Sequence, residues 1–420
     1  MGVSLINRLG YEYAKDLKEY VSSPSFDLNE YMLYGIETIG QNAFTNCNNF
    51  KSVTTPKNVT SIGERAFANC DSLESVTIKN GSIGEQAFAS CDNLSSLTLE
   101  QGVTSIGNVA FMSAKKIQTL TIPNSVTTIG RQAFDSCSDL ESLIIESGGT
   151  TSIGELAFQN NYKLKSATLG EGVTSIGGQA FYFCTSLTSI TIPSTVTSIG
   201  TQAFYNCSSL ESATILGGTI GERAFVGIIT LTNVTIGQNV TSIGYSAFSG
   251  CSSLESLTIP NSVTSIGDSA FSSCSSLESV TISGNIPTMS STFSGCSSLK
   301  NVTLGTTDIN GGTFSGCSNL ENITIQGGTI GDGTFAGRTK LTNVVLGQEI
   351  TSIGGGAFYG CTSLASLTVQ AVTPPTLGSS ALTSTSENLV IYVPANSVDT
   401  YKAASGWSDY ASKIQAIPNN

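Results

Sequence analysis

The stretch from Val263 to Ile282 reads V-T-S-I-G-D-S-A-F-S-S-C-S-S-L-E-S-V-T-I, and variants of it fill most of the chain. Its phenylalanine recurs at steps of 21 to 24 residues. The recurring phenylalanines are Phe44, Phe67, Phe88, Phe111, Phe134, Phe158, Phe181, Phe204, Phe225, Phe248, Phe271, Phe293, Phe314, Phe335 and Phe358. A repeat of this length is typical of solenoids, in which each coil packs only against its neighbours.

The second half of the repeat predicts a strand. Leu277, Val280 and Ile282 have the spacing of the LxxLxL strand of leucine-rich repeats. Side chains alternate across a strand, so Val280 and Ile282 should point into the core, whereas Ser279 and Thr281 should point outward. We therefore predict a leucine-rich-repeat solenoid of parallel β-strands that forms a curved right-handed array, with helical caps at both ends.

The first half of the repeat predicts a turn. Gly267 follows the isoleucine, as glycine does in most copies, which indicates a turn with a positive φ. The segment from Ala270 to Cys274 suits a short helical or 3-10 turn, since its phenylalanine and cysteine lie three residues apart and share one face. The strands before Pro123, Pro193 and Pro260 should end there, because proline has no N–H for the strand ladder.

All eleven cysteines occupy one position, three residues after the recurring phenylalanine. They are Cys47, Cys70, Cys91, Cys137, Cys184, Cys207, Cys251, Cys274, Cys296, Cys317 and Cys361. Other copies carry Ala114, Asn161, Ile228 or Arg338, so the position behaves as a small core site. Strands about 4.8 Å apart hold successive Cβ atoms beyond the usual disulfide distance. We predict free buried thiols rather than disulfides or a metal site, since histidine and CxxC are absent from the sequence.

The composition excludes several functions. Charged residues make up 11% of the chain and the net charge is −12, so nucleic acid, which needs clustered Lys and Arg, is not an expected partner. Apolar runs stay below about 18 residues, so membrane insertion is not expected. Met1 to Tyr20 lacks the apolar core of a signal peptide. Because the sequence has no histidine, P-loop or GxSxG motif, we predict a non-enzymatic protein that uses no cofactor and no metal.

The chain is predicted to have three parts. Residues 1–35 form an N-terminal helical cap or docking segment, because residues 3–21 carry an apolar side chain at every fourth position. Residues 36–372 form the solenoid. Residues 373–420 form a C-terminal cap, with a final strand at 389–393 and an amphipathic helix that is broken at Gly406 and anchored by Trp407. The docking alternative makes residues 1–34 a possible site for an assembly partner.

The unit V-T-S-I-G-x-x-A-F-x-x-C-x-S-L-x-S-V-T-I-P closely resembles the repeat of the BspA-like leucine-rich repeat family, in about fifteen copies over residues 36–370. The ending from Tyr392 to Trp407 resembles the tail that follows such arrays in proteins of gut bacteria. The resemblance implies a non-catalytic surface protein that adheres to host matrix proteins, host cells or other microbes. Similar arrays also occur in phages of gut bacteria. Family members on cell surfaces usually carry a leader and an anchoring module, and neither is evident in this sequence, which favours a virion protein as the alternative.

One candidate partner-binding surface is a hydroxyl-rich column. The second outward position of the strand is threonine in most copies. The candidate residues in this column are Thr168, Thr191, Thr214, Thr235, Thr258 and Thr281. The pattern favours a structural role, because threonine favours strands and stacks on itself, and a surface that recognises protein or glycan is the alternative. An ice-binding function for it is disfavoured, since a curved array does not match a flat lattice.

Two further features are candidates for contact with a partner. Tyr182, Phe183 and Tyr205 lie at or next to equivalent positions of successive coils, and should form either an exposed aromatic contact site or a cluster packed within the turn. A partly acidic column precedes the strand; it suits a solvated edge or a stripe for a basic partner. Its members are Glu74, Glu141, Glu211, Glu255, Glu278 and Glu321, with Lys51, Lys165 and Lys300 interspersed.

These features together predict a non-catalytic adhesion or recognition protein. Its Ser/Thr-rich surface would bind a protein or glycan ligand on a host or cell surface. The alternative is a structural or host-recognition component of a phage virion, attached through its terminal segments. Either function predicts an extracellular location, on a cell surface or on a virion.

Overall fold

The computed structural model describes residues 37–48 and 51–418. The chain divides into two compact units between Ala213 and Thr214, and each unit is a stack of coils. The predicted N-terminal helix and the docking segment at residues 1–35 lie outside the described residues.

Most of the regular secondary structure in the described residues is short β-strand. The first unit contains β1 (Thr38–Ile39), β2 (Ser52–Thr54), β3 (Ser61–Ile62), β4 (Ser75–Ile83), β5 (Ser96–Ile106), β6 (Thr119–Ile122), β7 (Thr128–Ile129), β8 (Ser142–Ile145), β9 (Thr151–Ile153), β10 (Ser166–Leu169), β11 (Val173–Ile176), β12 (Ser189–Ile192) and β13 (Ser198–Ile199). The unit boundary falls within β14 (Ser212–Ile220). The predicted ends of strands before Pro123 and Pro193 are confirmed, since β6 and β12 stop at the preceding residue.

The second unit continues the same pattern. Its strands are β15 (Asn233–Ile243), β16 (Ser256–Ile259), β17 (Ser265–Ile266), β18 (Ser279–Ile282), β19 (Ile286–Met289), β20 (Asn301–Ile309), β21 (Asn322–Ile330), β22 (Asn343–Ile353), β23 (Ser366–Val369), β24 (Thr376–Leu377), β25 (Val390–Val393) and β26 (Ile414–Ala416). One short helix, α1 (Val398–Ala403), lies between 3-10 turns at Ala395–Ser397 and Ser408–Lys413.

Strands of successive coils pair in parallel and in register. In the first unit, β10 pairs with β12 and sets Thr168 opposite Thr191. In the second unit, β16 pairs with β18 and sets Thr258 opposite Thr281. The equivalent residue of each coil therefore lies directly above that of the coil before it, and the predicted parallel leucine-rich solenoid is confirmed within each unit.

Inward and outward side chains alternate along the strands as predicted. Val280 and Ile282 are buried, Ser279 is half-buried and Thr281 is exposed. The recurring phenylalanines stack in the core of each unit, with ring centroids 5.2 Å apart for Phe111 and Phe134. This stack buries large apolar surfaces that a single coil could not cover, so each coil depends on its neighbours for stability.

The turn that carries the phenylalanine is not helical. The backbone of Arg65 is left-handed, with a φ of 53°, so a continuous helix cannot form there. Alternate N–H groups point in different directions: Ala66 donates back to the Gly63 carbonyl of its own coil at 3.2 Å, whereas Phe67 donates to the Ala87 carbonyl of the next coil at 2.7 Å. The predicted helical turn is therefore wrong, and the segment forms hydrogen bonds that bind successive coils together.

The glycine after the isoleucine has a different role from the predicted one. Gly177 and its equivalents do not adopt a positive φ; instead a Cβ at Gly177 would lie 2.5 Å from the backbone nitrogen of Glu155 and 2.5 Å from the Gly154 carbonyl carbon. Real Cβ atoms do not approach backbone that closely, so only glycine allows the coils to stack at this spacing.

The cysteines are buried and free, as predicted. Ten of the eleven thiols also donate a hydrogen bond across coils; for example, Sγ of Cys207 lies 3.3 Å from the Phe181 carbonyl oxygen. Where the cysteine is replaced, the new side chain can make the same bond, because Asn161 donates to the Phe134 carbonyl at 3.0 Å and Arg338 donates to the Phe314 carbonyl at 3.1 Å, each in the preceding coil. The position is thus a donor site as well as a small core site.

The C-terminal segment folds against the last coils in several short pieces. A final strand before Pro394 is confirmed as β25, but β26 then adds a further parallel strand to it. The predicted amphipathic helix is limited to α1, which has only six residues, and the predicted break is confirmed at Gly406, whose φ of 81° separates α1 from the following 3-10 turn. Trp407 is fully buried and donates from Nε1 to the Pro375 carbonyl at 2.8 Å, so it acts as an anchor.

Tyr401→Phe should lower the free energy of unfolding of this segment by about 1–3 kcal/mol. The Tyr401 hydroxyl is buried and donates to the Ala371 carbonyl at 2.7 Å, and its removal leaves that acceptor without this donor. Tyr410→Phe is the control, since its hydroxyl makes no hydrogen bond within the described residues. Urea unfolding followed by Trp407 fluorescence measures the stability of both variants. Equal midpoints for the two would contradict a stabilising role of the Tyr401 hydrogen bond.

Candidate binding surface

The predicted threonine column is exposed in both units. Thr168 and Thr191 are exposed on the outer strand face of the first unit, and Thr258 and Thr281 are exposed on that of the second. Thr235 is also exposed, whereas Thr214 is half-buried. The column presents hydroxyl groups, which both donate and accept hydrogen bonds, at the spacing of the strands.

The acidic column beside the strands is partly neutralised by its own lysines. Lys165 lies 2.8 Å from the Glu141 carboxylate, one coil away. In the second unit, Lys300 lies 3.0 Å from Glu278. These pairs are exposed and add little stability, at most about 1 kcal/mol each. They reduce the negative potential that a stripe for a basic partner would need.

The three aromatic residues form one cluster on the turn side of the first unit. Tyr182 and Tyr205 stack with centroids 5.1 Å apart, and Phe183 lies 4.6 Å from Tyr182. All three are half-buried, so the cluster is partly packed and partly open to solvent. Phe183 has a φ of 61°, a strained conformation for a bulky side chain, at a position where other described coils carry Asn, Ser or Gly. The structure therefore brings these residues together on a side of the coil different from the threonine column.

A depression that the repeat pattern did not predict interrupts the threonine face of the second unit. It has a volume of about 580 Å³ and lies where β15 is followed by β16. It is lined by Val234, Thr235, Ile236, Gln238, Ser256, Thr258, Pro260, Asn261 and Ser283. The signal in the sequence is that Pro260 follows β16 where Gly237 stands in the coil before; β15 runs on through Gly237, whereas β16 ends at Ile259.

The part of the chain that the structure describes contains neither a candidate metal site nor a helix that could span a membrane. Among residues 37–48 and 51–418, His, Cys, Asp and Glu side chains do not form a group of three that could hold a metal ion. In those same residues, every helix is too short or too polar to cross a membrane.

The family of the chain follows from its repeats. Residues 28–141, 81–211, 218–335 and 328–404 match the family model described as BspA type leucine-rich repeat region (6 copies). The chain therefore belongs to the BspA type leucine-rich repeat family, and the resemblance of its repeat unit is confirmed. Leucine-rich solenoids are typically non-enzymatic scaffolds that bind other proteins across an extended surface.

Several solved bacterial structures are similar to this chain. A leucine-rich repeat protein from Bacteroides ovatus ATCC 8483 is 27% identical, with a TM-score of 0.48, over 92% of this chain and 88% of that one. A leucine rich cell surface protein from Faecalibacterium prausnitzii A2-165 is 30% identical, with a TM-score of 0.37, over 70% of this chain and 84% of that one. A leucine-rich repeat protein from Eubacterium ventriosum ATCC 27560 is 23% identical, with a TM-score of 0.35, over 80% and 83%. No curated protein matches the chain.

Proposed function

We propose that the protein is a non-catalytic adhesion or recognition protein that binds a macromolecule on a host or cell surface through its threonine face. The observation that carries the proposal is the column of exposed threonines held in register by parallel pairing, as for Thr168 with Thr191 and Thr258 with Thr281. Regular hydroxyl groups on a rigid sheet offer many weak contacts, and affinity then grows with the number of coils engaged.

An extracellular location on a cell surface is part of this proposal, since the family resemblance implies surface proteins. The alternative, a virion component attached through the terminal segments, depends on residues 1–34, which lie outside the described residues. It stays a prediction. The aromatic cluster of Tyr182, Phe183 and Tyr205 is proposed as a secondary contact.

The test is binding of the labelled full chain to intestinal epithelial cells and to immobilised matrix proteins. The variant Thr191→Lys with Thr281→Lys places a bulky cation on the threonine face of each unit, and we expect at least about a tenfold loss of affinity, equivalent to about 1.4 kcal/mol. Thr201→Lys is the control, because Thr201 is exposed in a turn rather than on a strand. Equal affinities for the face variant and the control would overturn the proposal.

A further inference from the structure

We propose that the depression between β15 and β16 is a binding site for a neutral oligosaccharide. This inference rests on the proposed function, since it names the ligand class for one part of the same threonine face. The depression lies wholly within the second unit and includes two of the candidate threonines, Thr235 and Thr258.

The depression exists because the strand ladder is interrupted. Residues 256–259 of β16 pair with β18, and β15 pairs with β17 through Ser242 and Ile243, but within the described residues β15 and β16 do not pair with each other. The interruption falls where the continuous strand β15 meets β16, which ends at Ile259 because the following Pro260 has no N–H to donate. The face is therefore open at this point, whereas it is closed by hydrogen bonds between β16 and β18.

The opening reaches the apolar layer. Val234 is half-buried, although the equivalent inward residues of the next two coils, Leu257 and Val280, are only 2% and 1% exposed. The first unit has a comparable interruption between β5 and β6, but there the larger Leu97 fills the space and is buried. A small side chain at residue 234 thus leaves room that a ligand can occupy.

The lining suits a sugar. Thr235, Ser256 and Thr258 provide hydroxyls, and Gln238 and Asn261 provide amides, so the rim can both donate to and accept from the hydroxyl groups of a saccharide. The apolar floor, which includes Pro260, offers a surface for the C–H face of a sugar ring. The volume of about 580 Å³ lies within the range of small-ligand sites, which is roughly 300–1,000 Å³.

The charge around the depression favours a neutral ligand. None of the nine lining side chains is charged. Glu255 is exposed next to the lining residue Ser256, and the whole chain has a net charge of −12. A sialylated or sulfated glycan would be repelled, whereas a neutral one would not. An open site without an aromatic platform predicts weak binding, with a Kd on the order of 1 mM for a single site.

The experiment is saturation-transfer NMR on the full chain with cellotriose, maltotriose and mannotriose, with sialyllactose as the anionic comparison. At least one neutral trisaccharide should bind more tightly than sialyllactose. Thr258→Val removes a lining hydroxyl while it keeps the shape of the side chain, and Val234→Leu fills the floor as Leu97 does in the first unit. Each should weaken binding about fivefold or more, which is about 1 kcal/mol.

Thr339→Val is the matched control, because it removes the same hydroxyl from an exposed turn of the same unit, away from the threonine face and the depression. Its affinity should stay within about twofold of the unmodified chain. Absence of binding to all three neutral sugars, equal binding of sialyllactose, or an equal loss in Thr339→Val would overturn the inference. If the chain binds cells but none of the sugars, the proposed function stands and the assignment of this site fails. If the chain binds the sugars but not the cells, the assignment of this site stands and the proposed function fails.

Discussion

Raising the pH from about 8 to about 10 is expected to unfold the chain, because burial holds its thiols in the neutral form. Desolvation raises the pKa of Cys207 to about 12 and that of Cys251 to about 12. Raised pKa values are shared by nine of the eleven thiols. In the unfolded chain these thiols ionise near pH 8.5, so above that pH the unfolded state binds fewer protons than the folded state and stability falls.

The expected size of this effect is large. The stability that each thiol contributes is fully present below about pH 8.5 and declines by about 1.4 kcal/mol per pH unit up to its folded pKa. Nine thiols give a slope on the order of 10 kcal/mol per pH unit for unfolding of the whole chain. Urea unfolding under reducing conditions at several pH values measures the slope.

Cys207→Ala isolates one thiol. Alanine occupies the same position naturally at Ala114, where it is buried, so the substitution is compatible with the fold. The variant should be less stable at neutral pH, since it loses the hydrogen bond to the Phe181 carbonyl, but its slope above pH 8.5 should be smaller by about 1.4 kcal/mol per pH unit. An unfolding free energy that stays constant between pH 8 and 10, or an unchanged slope in Cys207→Ala, would contradict the explanation.

Gly177→Ala is expected to lower the free energy of unfolding by about 3 kcal/mol or more. Its Cβ would lie 2.5 Å from the backbone of the preceding coil, at Glu155 and Gly154, and backbone cannot rotate aside as a side chain can. The coils would have to separate, which would also stretch the hydrogen bond of 2.8 Å from the Gly177 N–H to the Ile153 carbonyl.

Gly178→Ala is the matched control, one residue away on the same turn. A Cβ there would meet its nearest neighbour, the Thr201 carbonyl oxygen, at 3.4 Å, and the backbone does not have a positive φ. We expect no loss of stability, or a gain of about 0.4–1 kcal/mol from reduced entropy of the unfolded chain. Urea midpoints from far-UV circular dichroism compare the two variants; similar destabilisation by both would show that close stacking is not the reason for glycine.

The sequence alone specified the architecture, because the repeat is periodic. A period of about 23 residues with LxxLxL spacing predicts coils that stack through parallel strands. The alternation along the strand then places Val280 in the core and Thr281 in solvent. The same periodicity placed the cysteines in the core, since a position that accepts both Cys207 and Ala114 suits a small buried side chain.

The candidate site was predicted only in part. The threonine column followed from strand alternation, and the aromatic cluster followed from the equivalent positions of Tyr182 and Tyr205. The depression at Val234 was missed, because its existence depends on how two unlike coils meet: a continuous β15 beside a strand that Pro260 ends. The sequence of each coil fits the repeat by itself. The mismatch between β15 and β16 appears only in the structure, where their backbones are neighbours.

The same physical reason explains the other corrections. The sequence determined the period, the strand positions and the buried residues, since these depend on the pattern within one coil. The tertiary structure decided why Gly177 must be glycine, which carbonyl accepts the Cys207 thiol and where the turn hydrogen bonds go. Those features depend on the distance between the backbones of successive coils, a quantity that the residue pattern of a single coil does not contain.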